Sequence, residues 1–67
     1  MSVTKSLDIS SASTMSFEDA VVLGLKKTSK TVHNICSAQI LNQSIKIEDE
    51  QIKEYIVEMK VQFVVND

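Results

Sequence analysis

Tyr55-Ile56-Val57-Glu58-Met59-Lys60-Val61-Gln62-Phe63-Val64-Val65 is the stretch that decides the fold. Tyr55, Val57, Met59, Val61, Phe63 and Val65 occupy the odd positions, while Glu58, Lys60 and Gln62, with Glu54 just before them, hold even ones. A two-residue period of this kind is a long β-strand with one core face and one largely polar face. Ile56 breaks the polar side, and a subunit contact suits it better than a ligand pocket; isolated apolar residues on surfaces are otherwise common.

Immediately upstream, Glu48-Asp49-Glu50-Gln51 is a short acidic interval after the β-prone run Cys36–Ile47. Two strand-like runs so close together predict an antiparallel hairpin, although neither Asn-Gly nor Asp-Gly is present. Within the earlier run Ile40 and Leu41 are adjacent, so they point to opposite faces unless a bulge intervenes, and both faces of that strand are expected to be covered.

Toward the N-terminus, Val3, Leu7 and Ile9 alternate with polar residues, Lys5 excepted, which predicts a strand over Val3–Ile9. Ser10 to Thr14 is small and polar and reads as a loop. Ser16 followed by Asp19 has the spacing of a capping box, in which the hydroxyl accepts a backbone N–H and the carboxylate reaches back, so a helix should begin near Phe17. Phe17, Ala20, Val21, Gly24, Leu25, Thr28 and Val32 form one stripe at three- and four-residue spacing, an amphipathic helix of about four turns. His33 and Asn34 are expected to end it, Asn because it tolerates the left-handed conformation. Gly24 costs about 1 kcal/mol relative to Ala in mid-helix, which signals either a close approach to a sheet or simple tolerance.

The order is therefore strand, helix, strand, strand. A right-handed crossover makes the first two strands parallel, and the third fits between them, antiparallel to the second, with the helix on its odd-numbered face. The expected fold class is α+β, a three-stranded antiparallel-type sheet packed on one amphipathic helix, as a single domain over residues 1–67.

Length and composition limit what such a domain can do alone. With 67 residues, 43% of them hydrophobic, apolar burial at about 25 cal/mol per Å² nearly cancels an ordering cost of about 1.5 kcal/mol per residue. Small chains then rely on disulfides, a metal or partner subunits. Cys36 is the only cysteine, and no Cys/His spacing suggests zinc, so association with copies of itself is expected. A net charge of −2 lacks the basic excess that nucleic-acid binding needs. The first residues carry neither a signal-peptide core nor a membrane span, and with one unpaired thiol this points to the cytoplasm. Cys36 and His33 are read as a packed thiol and a helix end rather than a catalytic pair. Glu48, Asp49 and Glu50 are read as a solvated turn, since they lack the spacing and glycine of a calcium loop. No phosphate loop and no set of nucleophile, base and orienting group is evident, so the chain is not read as an enzyme.

Element order, size and local wording together resemble the dodecins from Val3 to the C-terminus. The resemblance rests on Ser16-Phe17-Glu18-Asp19-Ala20, on Lys30-Thr31-Val32 with Asn34, and on Tyr55 to Phe63. It implies hollow dodecamers that bind flavins in pairs, each ring stacked on a tryptophan of the second strand and hydrogen-bonded by a glutamine just after the last-strand tyrosine. Here those positions are Ser37 and Ile56, and the glutamate usual two residues after the tryptophan is Gln39. Losing the aromatic platform removes roughly 0.5–1.5 kcal/mol beyond its buried area. Ile56 offers no polar group to a flavin edge.

Two expectations follow from the resemblance. The first is a homo-oligomeric shell, dodecameric by family, that binds or stores a small ligand near Ser37, Gln39 and Ile56 with its flavin-type pocket altered or lost. The second is a structural or calcium-type ion-binding particle without flavin, since some dodecin-like proteins that lack the tryptophan resemble calcium binders. Neither expectation assigns a metal ligand to a particular residue.

Overall fold

In the computed structural model the described residues are 3–65, so the ends of the expected 1–67 domain lie outside them. The elements are β1 (Val3–Ser13), α1 (Phe17–Thr28), β2 (Ile35–Glu48) and β3 (Gln51–Val65). β3 is the central strand and runs antiparallel to both neighbours. This is the α+β arrangement that the alternation of β3 predicts. Its odd face supplies the core: Val57, Met59 and Val61 are fully buried, and Ala20 closes over them from the helix.

β1 runs past Ile9 to Ser13, so the serine-rich stretch expected as a loop is strand. Its period continues in small residues, with Ser11 half-buried and Ser13 buried while Ser10 and Ala12 are exposed. Gly24 explains why small residues belong there. A Cβ placed on it would lie 2.8 Å from Met59 Cε and 2.9 Å from Ser11 Cβ, closer than packed carbons approach. Of the two readings of Gly24, the close approach is the observed one.

The start of the helix is capped as expected by Ser16, whose Oγ accepts the Asp19 N–H at 2.9 Å. The Asp19 carboxylate, however, does not close the box. It accepts instead from the Ser13 hydroxyl at 2.6 Å, and Ser13 Oγ in turn accepts the Met15 N–H. The end of β1, the loop and the first turn of α1 are thereby tied at one buried hydroxyl.

α1 ends at Thr28, a full turn before the expected stop at His33 and Asn34. Ser29 and Thr31 send their hydroxyls to the carbonyls of Lys26 and Thr28. Such local bonds compete with helix continuation. Asn34 does adopt the left-handed conformation, φ 63°, but at the entry to β2, where its carbonyl accepts the Val64 N–H at 3.0 Å.

The β2–β3 connection is the expected hairpin. Glu48 pairs with Gln51, and the loop residues Asp49 and Glu50 both have positive φ, 54° and 64°, the geometry of a tight I′-like turn. The register slips between Ile40 and Asn42, leaving Leu41 as a bulge residue that reconciles the adjacent apolar pair. Cys36 stands in a similar slip between Ile35 and Ser37.

α1 packs on β1 and β3 and leaves β2 largely uncovered. Ile40 and Leu41 remain 43% and 47% exposed, and Ile47 and Ile52 near the hairpin tip 66% and 52%. The expected cover on both faces of β2 is therefore not supplied within one chain. The molecule measures 52 × 19 × 13 Å with a radius of gyration of 13.8 Å, against about 11 Å for a compact chain of this length. Its accessible surface of 4979 Å² exceeds the roughly 4,250 Å² typical of this mass. Most of the apolar side of the hairpin arm is thus available for contact with another molecule.

Candidate functional site

The register fixes what the open face of the sheet, opposite α1, presents. Directly paired residues share a face, so the even positions of β3 form cross-strand rows with both neighbours. Ser6, Gln62 and Ser37 make one row; Asp8, Lys60 and Gln39 the next; then come Ser10, Glu58 and Asn42. Ile56 sits further along with Ala12 and Ser44 beside it.

Within these rows Ser37 Oγ donates to Gln62 Oε1 at 2.7 Å, and Asn42 Nδ2 donates to Glu58 Oε1 at 3.3 Å. Ser37, Gln39 and Asn42 are exposed, whereas Lys60, Gln62 and Ile56 are half-buried. Ser37 and Gln39 therefore share one polar patch. Ile56 lies further along the face, four residues of strand from Lys60 in the Gln39 row and six from Gln62 in the Ser37 row, about 13 and 20 Å at 3.3 Å per residue.

Gln62, Glu58 and Asn42 were not singled out from the sequence. The alternation of β3 marked Gln62 and Glu58 as face residues, but their partners depend on the Cys36 and Leu41 bulges, which shift the register by one residue each and leave no distinct sequence signature. His33 and Cys36 do not form a pair: His33 is exposed outside the strands, and Cys36, expected as a packed thiol, is instead exposed at its bulge and donates to the Gln62 carbonyl, 3.5 Å away. Among the described residues no group of three or more His, Cys, Asp or Glu side chains is placed to hold a metal ion. No helix among them is long and apolar enough to cross a membrane.

All three aromatic residues lie off the open face: Tyr55 and Phe63 are on the odd side of β3, and Phe17 on α1 meets Tyr55 edge-on at 5.1 Å. The open face thus has no aromatic platform. The Ser37 hydroxyl is engaged by Gln62, and Ile56 gives this face an aliphatic side chain.

The family model described as Dodecin matches residues 3–66. Among solved structures, dodecin from Streptomyces davaonensis is 26% identical with a TM-score of 0.95, covering 98% of this chain and 97% of that one. A variant of the Thermus thermophilus dodecin is 22% identical at a TM-score of 0.94, with all of both chains covered. A calcium dodecin from Mycobacterium tuberculosis, described as a calcium-chelating antigen with a novel calcium-binding site, is 25% identical at a TM-score of 0.83, covering 96% of this chain and 91% of that one. No curated protein matches the chain.

Proposed function

The chain belongs to the dodecin family, and on that premise we propose that residues 1–67 act as one subunit of a homo-oligomeric shell, dodecameric by family, that binds or stores a small ligand between copies. The observation that carries this reading is the uncovered apolar arm: Ile40, Leu41, Ile45, Ile47 and Ile52 are all exposed in the single chain. Monomeric proteins seldom leave such a patch open, and its usual meaning is an interface. The polar surface of Ser37 and Gln39, completed by Ile56 of another copy, is the proposed ligand wall. The shell is read as a cytoplasmic binding particle without catalysis.

The ligand differs from the family's paired flavin, because the stacking and reading positions are Ser37 and Ile56. Purified protein should therefore carry no flavin absorbance and leave the fluorescence of added riboflavin unquenched. Quenching at micromolar riboflavin would overturn the altered pocket.

The match to a calcium dodecin favours one second reading, an ion-binding particle. Its donors would have to come from more than one copy, since no described cluster in one chain suffices. A rise in melting temperature with millimolar calcium but not magnesium would support the ion-binding reading over the small-molecule one.

A further inference from the structure

Beside the free edge of β1 runs an open groove of about 670 Å³, with Ile9, Ala12 and Leu23 on its apolar part and Lys26, Lys27 and Lys30 along its rim. Among the described residues β1 pairs only with β3, so its other edge presents unpaired backbone N–H and C=O groups there. The one ion pair among the described residues is Lys53 with Glu48 on the hairpin. The three groove lysines consequently have no carboxylate partner among the described residues.

The far end of the molecule carries the opposite pattern. Asp49 and Glu50 stand exposed at the hairpin tip beside the apolar pair Ile47 and Ile52. This tip cannot fold back into its own groove. α1 starts at the Tyr55 end of the sheet, where Phe17 meets that ring, and the groove lies beside Ile9 to Ala12, which pair with Met59 to Ile56, so at least five residues of β3, about 17 Å at 3.3 Å per residue, separate it from the turn after Glu48.

We propose that the hairpin tip of a second copy docks in the groove between α1 and β1, with Ile47 and Ile52 over Ile9 and Leu23 and the Asp49 and Glu50 carboxylates at Lys26, Lys27 and Lys30. This inference rests on the self-association reading and names the surfaces that meet. A rigid element with apolar and acidic groups side by side fits the groove better than a small anion does. The lysines are exposed to water near a helix C-terminus, whose backbone dipole already favours cations there, and Ile9, Ala12 and Leu23 line the groove together with small hydroxyl residues. Tip and groove are different patches, so the contact is head-to-tail, and its repetition closes a ring when the rotation between copies divides a full turn.

The test begins with unmodified protein, half of it labelled with nitrogen-15 and mixed with unlabelled protein before assembly. Zero-length carbodiimide coupling should join peptides containing Asp49 or Glu50 to peptides containing Lys26, Lys27 or Lys30, with mixed labels that prove a link between copies. Charge reversal then measures the contact. Lys26→Glu with Lys27→Glu, or Asp49→Lys with Glu50→Lys, should each weaken assembly roughly ten- to hundredfold, as like charges meet across the contact. All four changes together should restore most of it. An oligomer that gives no such cross-links, or whose mass survives either reversal at low salt, overturns the docking while leaving self-association intact. A monomeric wild-type chain overturns both.

Discussion

Gly24→Ala isolates the closest contact between helix and sheet. The added methyl would lie 2.8 Å from Met59 Cε, 2.9 Å from Ser11 Cβ and 3.2 Å from Ser11 Oγ. Met59 Cε ends a flexible side chain and can swing aside, although Met59 is fully buried and little space is free. Ser11 Cβ is fixed to the β1 backbone, so relief there requires α1 to move outward by several tenths of an ångström. Overpacking of this kind costs about 1–3 kcal/mol. The better helix propensity of alanine returns about 1 kcal/mol, which leaves a net loss of about 1 kcal/mol. The assay is urea unfolding at one fixed subunit concentration, since assembly contributes to apparent stability. Placing Ser11→Gly in the same chain should recover part of the loss, with a coupling of roughly 1 kcal/mol in a double-mutant cycle. A Gly24→Ala protein that is more stable than the parent by about 1 kcal/mol, with no coupling to position 11, would show that the glycine is merely tolerated and that the close approach exerts no constraint.

Three further outcomes are expected. Ser13→Ala removes the buried hydroxyl that donates to Asp19 and accepts the Met15 N–H, and should cost about 1–3 kcal/mol in the same unfolding assay; no loss would mean that the tie between β1 and α1 is incidental. Ile40→Asn places an amide on the uncovered face of β2, where the parent side chain is 43% exposed, and should reduce the assembled fraction in size-exclusion chromatography while the helical circular dichroism of the dissociated chain persists. An unchanged elution volume would remove β2 from the interface. Ser37→Trp combined with Ile56→Gln restores an aromatic platform and a polar reader, and riboflavin fluorescence should then be quenched where the parent leaves it bright. Failure of a correctly assembled double variant to quench would mean that the pocket is closed by something other than these two side chains.

Sequence and structure agree where one local rule governs a long element. The alternation of β3 fixes its faces, its central place and the buried set Val57, Met59 and Val61, because a strand flanked on both sides and covered on one must repeat every two residues. The Ser16 cap and the Asp49-Glu50 turn were likewise legible. The end of β1 was not, since Ser11 and Ser13 are chosen for size beneath Gly24 and their hydroxyls mimic a loop. The helix end was misplaced because the Ser29 and Thr31 hydroxyls, rather than His33 and Asn34, complete the last turn. Of the candidate site, Ser37 and Gln39 fall on one patch as their two-residue spacing requires. Their partners Gln62 and Lys60 depend on a cross-strand register that the Cys36 bulge sets. The distance to Ile56 also depends on the register, and so could not be read from one strand at a time.

The central claim is that the uncovered arm of this short chain is completed by other copies of itself. Static light scattering on the purified protein at micromolar concentration tests it most directly. The account predicts a stable particle of many subunits, near 90 kDa for twelve copies of a 7.5 kDa chain. A folded particle of 7.5 kDa that persists as concentration rises would contradict it.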